Sequence, residues 1–231
     1  MNDEFIKFPK TPYLVQTSSN LSRDDKVLPF HEAQIFFNKP VIIEEKVDGT
    51  NLGFSISENG KILVQNRGSY ISSDHHQQYK KLDLWIADHY HALVNVLMDE
   101  NILYGEWCYA KHSIEYDSLP AWFLAFDIYD HKEGKFLSRK KRSSILEGTG
   151  IAEVPLICET LISKDDINYL INHRSALYNG PVEGLYLRID DDDGYLVRRA
   201  KVVRSEFSQA IEKHWSKTNL IVNRLQREDM K

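Results

Sequence analysis

A lysine stands at the end of an apolar, strand-like run, at the point where a glycine turn begins. Residues 45–51 read Glu-Lys-Val-Asp-Gly-Thr-Asn. Because successive side chains of a strand point to opposite faces, Lys46 and Asp48 are expected on one face, and Gly49 permits a close turn of the backbone. A lysine that is partly desolvated among other cations loses its proton more easily, and the free amine can attack phosphorus or a carbonyl carbon. The alternative is a surface lysine before an Asp-Gly hairpin turn, and the three fixed residues of this pattern do not separate the two interpretations.

Charged residues also stand inside other apolar runs further along the chain. Burying a charge is costly unless the charge is paired or bound to a ligand, so such residues are candidates to meet Lys46 in one site. They are Arg67, Glu106, Asp127, Glu183, Arg199 and Lys201. Arg199 and Lys201 are two residues apart and therefore share one face of the last run. The pattern predicts that two carboxylates, two or three cations and the lysine converge.

The elements that must position these residues follow from hydrophobic periodicity and turn signals. Strands are predicted over residues 41–46, 52–57, 61–65, 102–108, 122–129, 154–158, 182–189 and 195–203. Helices are predicted over residues 77–97, from residue 138 to 148, over residues 164–172 after a Ser163 cap, and from residue 206 to about 226. Turns are predicted at the Asx-Gly pairs 48–49 and 59–60. Residues 190–194 are typical of a hairpin turn, and its acidic tip is expected to be solvated. The basic run at 139–142 is typical of a solvated helix face.

The first forty residues contain four prolines and are expected to form an irregular arm over a core. No internal repeat, low-complexity linker or charge block marks a domain border. We therefore predict a single α+β domain over residues 1–231, made of mostly antiparallel sheets with helices packed outside. The arm spans residues 1–40, and a short helical tail spans residues 204–231.

The composition excludes several classes of protein. The 231 residues are 42% hydrophobic, as in an ordinary globular chain, and the net charge of −5 argues against nucleic-acid binding by bulk positive charge. Cys108 and Cys158 have no metal-ligand spacing, so we predict neither a disulfide framework nor a zinc site, and a cytoplasmic location. No run approaches 18 apolar residues, and the N-terminus lacks a basic stretch followed by an apolar one. Neither secretion nor membrane insertion is expected.

The order of the motifs resembles the covalent nucleotidyltransferase superfamily, and specifically the ATP-dependent RNA ligases of the RNA ligase 2 type in their short bacterial form. The resemblance covers residues 41–203 and rests on five elements in order, which are KxDG, GEW, FxxFDI, EGLYLR and RAKVV. Further shared segments are Phe8–Leu14, Asp25–Val27, Gly105–Asp130, His214–Ser216 and Asn223–Leu225. The resemblance implies the ATP-grasp-like ligase adenylation fold, with antiparallel sheets flanked by helices.

The resemblance also implies a reaction. Lys46 would attack the α-phosphorus of ATP, release pyrophosphate and keep AMP as a lysyl phosphoramidate. AMP would then pass to the 5′-phosphate of an RNA strand, and a 3′-hydroxyl would displace it to seal the ends in RNA repair or end joining. Mg²⁺ is the expected ion, with Mn²⁺ as its substitute.

Roles for individual residues are likewise implied by the resemblance. Glu45 would recognise the adenine, Phe126 would stack on the purine, and Lys201 would contact the α-phosphate with Arg199 beside it. Arg67 and Glu106 would hold ribose or phosphate groups. The metal-associated carboxylates would be Asp48, Glu106 and Glu183. The full set of nucleotide-binding residues is Glu45, Lys46, Asp48, Asn51, Arg67, Glu106, Phe126, Glu183, Arg199 and Lys201.

Two departures from the family pattern bear on this interpretation. After Lys201 the chain has only residues 202–231, whereas full-length ligases append a sizeable OB or helical C-terminal domain. This departure concerns the strand-joining steps and not adenylation, and a partner protein, or the arm and tail, would have to hold the RNA. The last motif has Arg199 where lysine is common, which keeps a cation of different shape. The alternatives are a DNA ligase-like or capping-type nucleotidyltransferase and a non-catalytic nucleotide- or RNA-binding module.

Overall fold

The computed structural model describes residues 5–15, 26–206 and 220–226. Within them the strands form two antiparallel sheets flanked by short helices. The α+β class predicted from the sequence is therefore confirmed. In the same ranges, no helix has the length and apolar character that a membrane span requires.

The first sheet contains the strand that ends at Lys46. Its strands are β1 (Val41–Lys46), β8 (Leu156–Thr160), β9 (Gly184–Asp190) and β10 (Leu196–Val203), in the spatial order β10-β9-β1-β8. The helices α1 (Phe30–Ile35) and α5 (Lys164–Leu170) pack on this sheet. Ala33 of α1 and Ile167 of α5 are buried in one apolar cluster with Ile43 of β1. Burial of this cluster fixes which face of β1 packs on the helices, and the opposite face is thereby turned away from them.

The second sheet carries the remaining strands. They are β2 (Thr50–Ile56), β3 (Ile62–Gln65), β4 (Tyr70–Ile71), β5 (Asn101–Trp107), β6 (Phe123–Asp130) and β7 (Lys135–Phe136), in the order β4-β3-β2-β5-β6-β7. The helices of this half are α2 (Leu82–Asp88), α3 (Tyr90–Leu97) and α4 (Arg139–Leu146). The Trp85 ring lies 5.3 Å from the Phe54 ring and 5.0 Å from the Phe123 ring, which anchors α2 on the sheet.

The Asp48-Gly49 pair joins the two sheets. The sequence is compatible with a hairpin turn here, but β1 belongs to the first sheet and β2 to the second, so the pair carries the chain across from one to the other. A Cβ atom on Gly49 would lie 2.6 Å from the carbonyl oxygen of Trp107. Gly49 is therefore required by the close approach of β5, and the residue after Lys46 leaves the first sheet at once.

The helix predicted over residues 77–97 is interrupted. A 3₁₀ turn (Gln77–Tyr79) precedes α2, and His89 lies between α2 and α3 with φ −108° and ψ 12°. The His89 ring stacks on Trp85 at 4.4 Å between centroids, and its Nδ1 lies 2.8 Å from the Trp85 carbonyl oxygen. This local contact holds the non-helical backbone of His89. The helix after Ser163 is confirmed, because Ser163 and Asp166 form a capping box.

One predicted strand begins two residues later than expected. The sequence places it at 154–158, whereas β8 covers residues 156–160. The reason is that the Val154 amide donates to the Ala125 carbonyl oxygen at 2.9 Å, and the Ala125 amide donates to the Ala152 carbonyl oxygen at 2.8 Å. Residues 152–154 are thus paired with the second sheet before the chain reaches the first.

The N-terminal arm is more ordered than its prolines indicate. Residues 30–35 form α1, and the segment around Tyr13 adds an edge to the first sheet beside β10. The Leu14 amide donates to the Lys201 carbonyl oxygen at 2.9 Å, and the Lys201 amide donates to the Pro12 carbonyl oxygen at 2.8 Å. The arm is therefore held by backbone hydrogen bonds to the strand that carries the last motif.

Part of the C-terminal tail is extended and not helical as predicted. Residues 220–226 pair with the loop after β5 through bridges at residues 110 and 119, while residues 207–219 and 227–231 lie outside the described ranges. The buried Asn223 side chain donates to the carbonyl oxygens of Cys108 at 2.8 Å and Ala110 at 3.2 Å, and accepts from the Tyr116 amide at 2.9 Å. These bonds fix the loop that follows Trp107.

Candidate active site

A cavity of about 330 Å³ lies where residues of the two sheets and the arm meet. Small-ligand pockets in proteins commonly measure about 300–1,000 Å³. Of the residues that the sequence indicates, the structure brings together on its wall Glu45, Lys46, Asn51, Arg67, Glu106, Phe126 and Lys201. Asp48, Glu183 and Arg199 are not on this wall. The predicted convergence is thus observed for strands that lie far apart in the sequence.

Lys46 is paired with a carboxylate. Its Nζ lies 2.8 Å from Oε1 and 2.7 Å from Oε2 of Glu183, and Lys46 is opposite Gly184 in the register of β1 and β9. Burial lowers the pKa of Lys46, but the negative charges of Glu183, Glu106 and Asp48 outweigh burial and raise the pKa above its usual value. The expectation of a readily lost proton among cations is therefore wrong for this state, because the nearest charges are carboxylates.

Glu106 lies on β5, opposite Asn51 of β2. Burial raises the pKa of Glu106 to about 8, the positive charges of Lys46 and Arg67 oppose that rise, and the carboxylates of Glu183 and Asp48 add to it. The carboxylates of Glu106, Glu183 and Asp48 therefore repel one another beside the cavity, and a further cation placed among them would relieve that repulsion.

Asp48 is hydrogen-bonded to the loop that contains residues 113–116. Its Oδ2 accepts from the backbone amides of Ser113 at 2.6 Å and Ile114 at 3.0 Å, and its own amide donates to the Tyr116 hydroxyl at 2.9 Å. The carboxylate thus holds the loop that Asn223 fixes from the other side. Its negative charge still acts on Lys46.

Glu45 presents a buried carboxylate at the cavity wall. It is 2% exposed, and it accepts hydrogen bonds from the Ser175 hydroxyl and, at 3.1 Å, from the Ala176 amide. Burial raises the pKa of Glu45, and these two hydrogen bonds oppose the rise. The side chain is therefore held in one orientation, as a residue that recognises a ligand edge needs to be.

Phe126 occupies a β-bulge. Tyr104 of β5 pairs with Asp127 and Gly105 pairs with Ala125, so Phe126 is the extra residue between them. Its carbonyl oxygen, which lacks a ladder partner, accepts from the buried guanidinium of Arg142. Bulges commonly redirect a side chain beside an active site, and here the bulge directs the Phe126 ring to the cavity.

The basic run in α4 is largely an internal ion cluster and not the solvated face expected from the sequence. Arg142 is fully buried, and its guanidinium lies 2.5 Å from Glu44 and 2.6 Å from Glu153. Arg139 lies 3.2 Å from the same Glu44 carboxylate, which is itself 0% exposed. Only the two lysines between these arginines are exposed. The cause of the burial is Glu44, an acidic residue in the apolar strand β1.

Arg199 belongs to a neighbouring part of this ion cluster. Its guanidinium lies 3.3 Å from Asp127 and 4.0 Å from the centre of the Phe136 ring, which explains why it does not line the cavity. Arg188 pairs with Asp127 at 3.1 Å and with Asp190 at 3.1 Å. Asp190 is therefore not part of a solvated hairpin tip, although residues 191–193 are exposed.

The cavity has several lining residues that were not proposed as site residues from the sequence. The arm contributes Phe8, Lys10, Thr11 and Lys26, and β9 contributes Tyr186. The sequence signal for the arm residues was the FPxTPxL and DKV segments that carry the resemblance. These segments have no periodicity, so nothing in the pattern assigned them to the site.

The carboxylates fit a hard divalent ion that keeps much of its water. Within the described ranges, no group of three or more His, Cys, Asp or Glu side chains is arranged to hold a metal ion by itself. Mg²⁺ is usually bound through one or two carboxylates together with substrate phosphates. Glu106 and Glu183, both close to Lys46, supply this number of oxygen ligands.

Comparison with solved structures shows a shared fold. A lysine-to-alanine variant of an RNA ligase from Naegleria gruberi, solved with ATP and Mn, matches at TM-score 0.63 and 16% identity over 88% of this chain and 58% of that chain. A variant of the same kind without ligand matches at TM-score 0.64 and 17% identity, over 88% and 57%. A variant with AMP and Mn matches at TM-score 0.61 and 14% identity, over 88% and 57%. This chain thus spans under 60% of the length of those proteins.

The sequence comparisons identify the family. No curated protein matches this chain. The profile of the RNA ligase family matches residues 39–203, which is more than half of the chain and includes Lys46, Glu106, Glu183 and Lys201. The chain therefore belongs to the RNA ligase family.

Proposed function

We propose that this chain is an ATP-dependent RNA ligase in which Lys46 forms a covalent bond with AMP. The observation that carries the proposal is the amine of Lys46 at the end of β1, on the wall of a cavity shared with Glu45, Glu106 and Lys201. Family membership supports an RNA substrate, and structural neighbours that contain ATP or AMP together with Mn support the choice of nucleotide and ion.

The first step requires that Lys46 lose its proton. Glu183 contacts Nζ through both carboxylate oxygens, and together with Glu106 and Asp48 it raises the pKa of Lys46, so a metal ion bound to these carboxylates would ease loss of the proton to solvent. The free amine attacks the α-phosphorus, a P–N bond forms, and the P–O bond to pyrophosphate breaks. Mg²⁺ or Mn²⁺ held by Glu106 and Glu183 would neutralise charge on the phosphate oxygens. Lys201 would supply a second positive charge at the α-phosphate.

The nucleotide would be recognised from two sides. Phe126, directed to the cavity by its bulge, would stack on the purine, and Glu45 would accept a hydrogen bond from the adenine amino group. Asn51 and Arg67 would contact ribose or phosphate oxygens from β2 and from the residue after β3. Asp48 would act by holding the loop over the lysine, and Arg199 by pairing with Asp127.

The later steps concern RNA. AMP would pass from Lys46 to a 5′-phosphate, forming a 5′–5′ phosphoanhydride, and a 3′-hydroxyl would attack that phosphate and release AMP. A partner protein that helps to hold the RNA is part of the proposal. The proposed compartment is the cytoplasm, in keeping with the free thiols of Cys108 and Cys158.

Self-adenylation tests the proposal directly. Protein incubated with α-labelled ATP and Mg²⁺ should retain label through a bond that is stable to alkali and labile to acid, as a phosphoramidate is. Lys46→Ala should abolish the label, and Lys61→Ala, a change at an exposed lysine, should not. Label that persists in Lys46→Ala would refute the assignment.

Substrate panels separate the alternatives. Competition by unlabelled GTP would indicate a capping-type enzyme, and sealing of nicked DNA in preference to nicked RNA would indicate a DNA ligase. Single-stranded and nicked RNA with 5′-phosphates, offered to the adenylated protein, would define the end geometry. Nucleotide binding without any covalent label would favour a non-catalytic module.

A further inference from the structure

The loop between α5 and β9 brings a buried serine to Glu45. Ser175 is 6% exposed, and its hydroxyl contacts Oε1 of Glu45, which lies 130 residues earlier in the sequence. The Ala176 amide contacts the other oxygen, Oε2, at 3.1 Å. Donors from two consecutive residues thus meet the two oxygens of one carboxylate.

The direction of the serine hydrogen bond is clear from its other partner. The Ser175 hydroxyl oxygen accepts from the Leu177 amide at 3.0 Å, and its one proton is donated to Glu45. Glu45 therefore accepts from both donors. Such bonds stabilise the ionised carboxylate, although burial raises the pKa of Glu45.

The loop that carries these donors is fixed to the rest of the domain. The Ser175 amide donates to the Gly180 carbonyl oxygen at 2.8 Å, and the Ser118 amide donates to the Leu177 carbonyl oxygen at 3.0 Å. Leu177 is buried in the apolar cluster that contains Val47, the residue after the proposed nucleophile. Packing therefore sets the position of the serine hydroxyl relative to the cavity.

We propose that Ser175 is a positioning residue that makes the site select adenine over guanine, acting through Glu45. This inference rests on the proposed function. An ionised carboxylate accepts hydrogen bonds and cannot donate them. At position 6 of the purine, adenine has an amino group that donates, whereas guanine has a carbonyl oxygen that accepts. Glu45, held as an acceptor at the cavity wall, therefore stabilises bound ATP and repels GTP.

Loss of the serine hydroxyl would have two consequences. The Glu45 carboxylate would keep the Ala176 amide and lose its other donor, so its orientation would be less fixed. Its pKa would also rise, because the Ser175 bond opposes the effect of burial more than the Ala176 bond does. A protonated Glu45 can donate to the guanine carbonyl oxygen, so both consequences reduce the preference for ATP.

Self-adenylation of the full chain with three nucleotides tests the inference. The nucleotides are ATP, GTP and the triphosphate of purine riboside, which is ATP without the 6-amino group. Ser175→Ala is compared with Ser57→Ala. Ser57 is a matched control because it is 7% exposed, donates to Asn59, accepts from the Lys61 amide at 3.1 Å, and does not line the cavity.

The expected effect depends on the 6-amino group. Ser175→Ala should raise the KM for ATP by roughly tenfold with little change in kcat, and tenfold corresponds to about 1.4 kcal/mol. The KM for purine riboside triphosphate should stay within about twofold of that of Ser57→Ala. The preference for ATP over GTP should fall by roughly tenfold as well. Partial unfolding cannot produce this pattern, because a ratio of KM values does not depend on the amount of folded protein.

A second variant covers the case in which Ser175→Ala does not fold. Ser175→Cys has a side chain of similar size and a weaker donor, so it should show the same dependence on the amino group to a smaller degree. Equal increases in the KM for ATP and for purine riboside triphosphate would overturn the inference, because Ser175 would then act on another part of the nucleotide. An unchanged preference for ATP over GTP would overturn it too.

Failure of the proposed function gives a different result. If the unaltered protein takes up no label from any of the three nucleotides, the proposed function fails. Calorimetric binding of ATP and purine riboside triphosphate to the same variants then still tests the role of Ser175. A loss of ATP affinity in Ser175→Ala that is absent for purine riboside triphosphate would support it, and equal losses or no loss would overturn it.

Discussion

Replacing Arg142 with methionine should destabilise the fold strongly. Arg142 has no exposed side-chain surface, and its guanidinium contacts the Glu44 carboxylate, the Glu153 carboxylate and the Phe126 carbonyl oxygen. Methionine has similar length and no charge, so the substitution removes these contacts while largely filling the space. The Glu44 carboxylate stays buried and loses its nearest cation.

The size of the effect follows from what Glu44 retains. Removing one partner of a buried ion pair costs about 3–5 kcal/mol. Arg139 at 3.2 Å and Arg188 at 3.7 Å remain near Glu44, so we expect the lower end, about 3 kcal/mol in the free energy of unfolding. Lys140→Met, on the exposed face of the same helix, should change it by less than about 0.5 kcal/mol.

Urea unfolding at neutral pH measures both values. Glu44→Gln in the Arg142→Met background should recover part of the loss, because it removes the unpaired charge, and a double-mutant cycle should therefore give a coupling of about 1 kcal/mol or more. A loss for Arg142→Met no larger than that for Lys140→Met, or additive effects at positions 44 and 142, would contradict this account of the ion cluster.

Three further predictions concern residues around Lys46. Gly49→Ala should lower the melting temperature and abolish self-adenylation, since its Cβ would lie 2.6 Å from the Trp107 carbonyl oxygen; normal labelling would refute this requirement. Burial raises the pKa of Glu106 to about 8, so the stability gained from its neutral form is complete below the unfolded-state pKa and is lost as the pH rises through 8. Without nucleotide or metal, unfolding at pH about 5 and about 9 should show a smaller pH-dependent loss for Glu106→Gln than for the unaltered protein, and equal losses would contradict the raised pKa. Asn223→Ala should cost about 1–3 kcal/mol in thermal unfolding and reduce the rate of labelling, because the loop that Asp48 holds loses its other support; an unchanged labelling rate in the folded variant would argue against that link.

The strands were largely predictable because their signals are local. The sequences of β1, β5, β9 and β10 either alternate between apolar and polar residues or are continuously apolar. The charged residues within them were recognised as unusual for that reason. Whether two strands share a sheet is decided by distant pairing. Lys46 lies opposite Gly184 and Thr50 lies opposite Trp107, and only these registers distinguish a crossing between sheets from a hairpin at Asp48-Gly49.

The electrostatics of the site could not be predicted in the same way. Counting charges near Lys46 in the motifs indicated cationic surroundings, but its nearest partner is Glu183, which is 137 residues away in the sequence. Arg142 was interpreted as solvated because its partner, Glu44, is 98 residues away. The break at His89 was also hidden, since the apolar residues of α2 and α3 keep helical spacing on both sides of it.

The ion cluster behind the cavity limits how the cavity can widen. Glu44 and Arg188 belong to the first sheet and Asp127 to the second, and Arg142 of α4 links Glu44 to the bulge at Phe126 in the second sheet. Separating the two sheets would leave several buried charges without partners, so these ion pairs hold the sheets in a fixed relative position. The two sheets are therefore expected to act as a stationary frame around the cavity, to which the arm is attached at the edge of β10 by a few backbone hydrogen bonds.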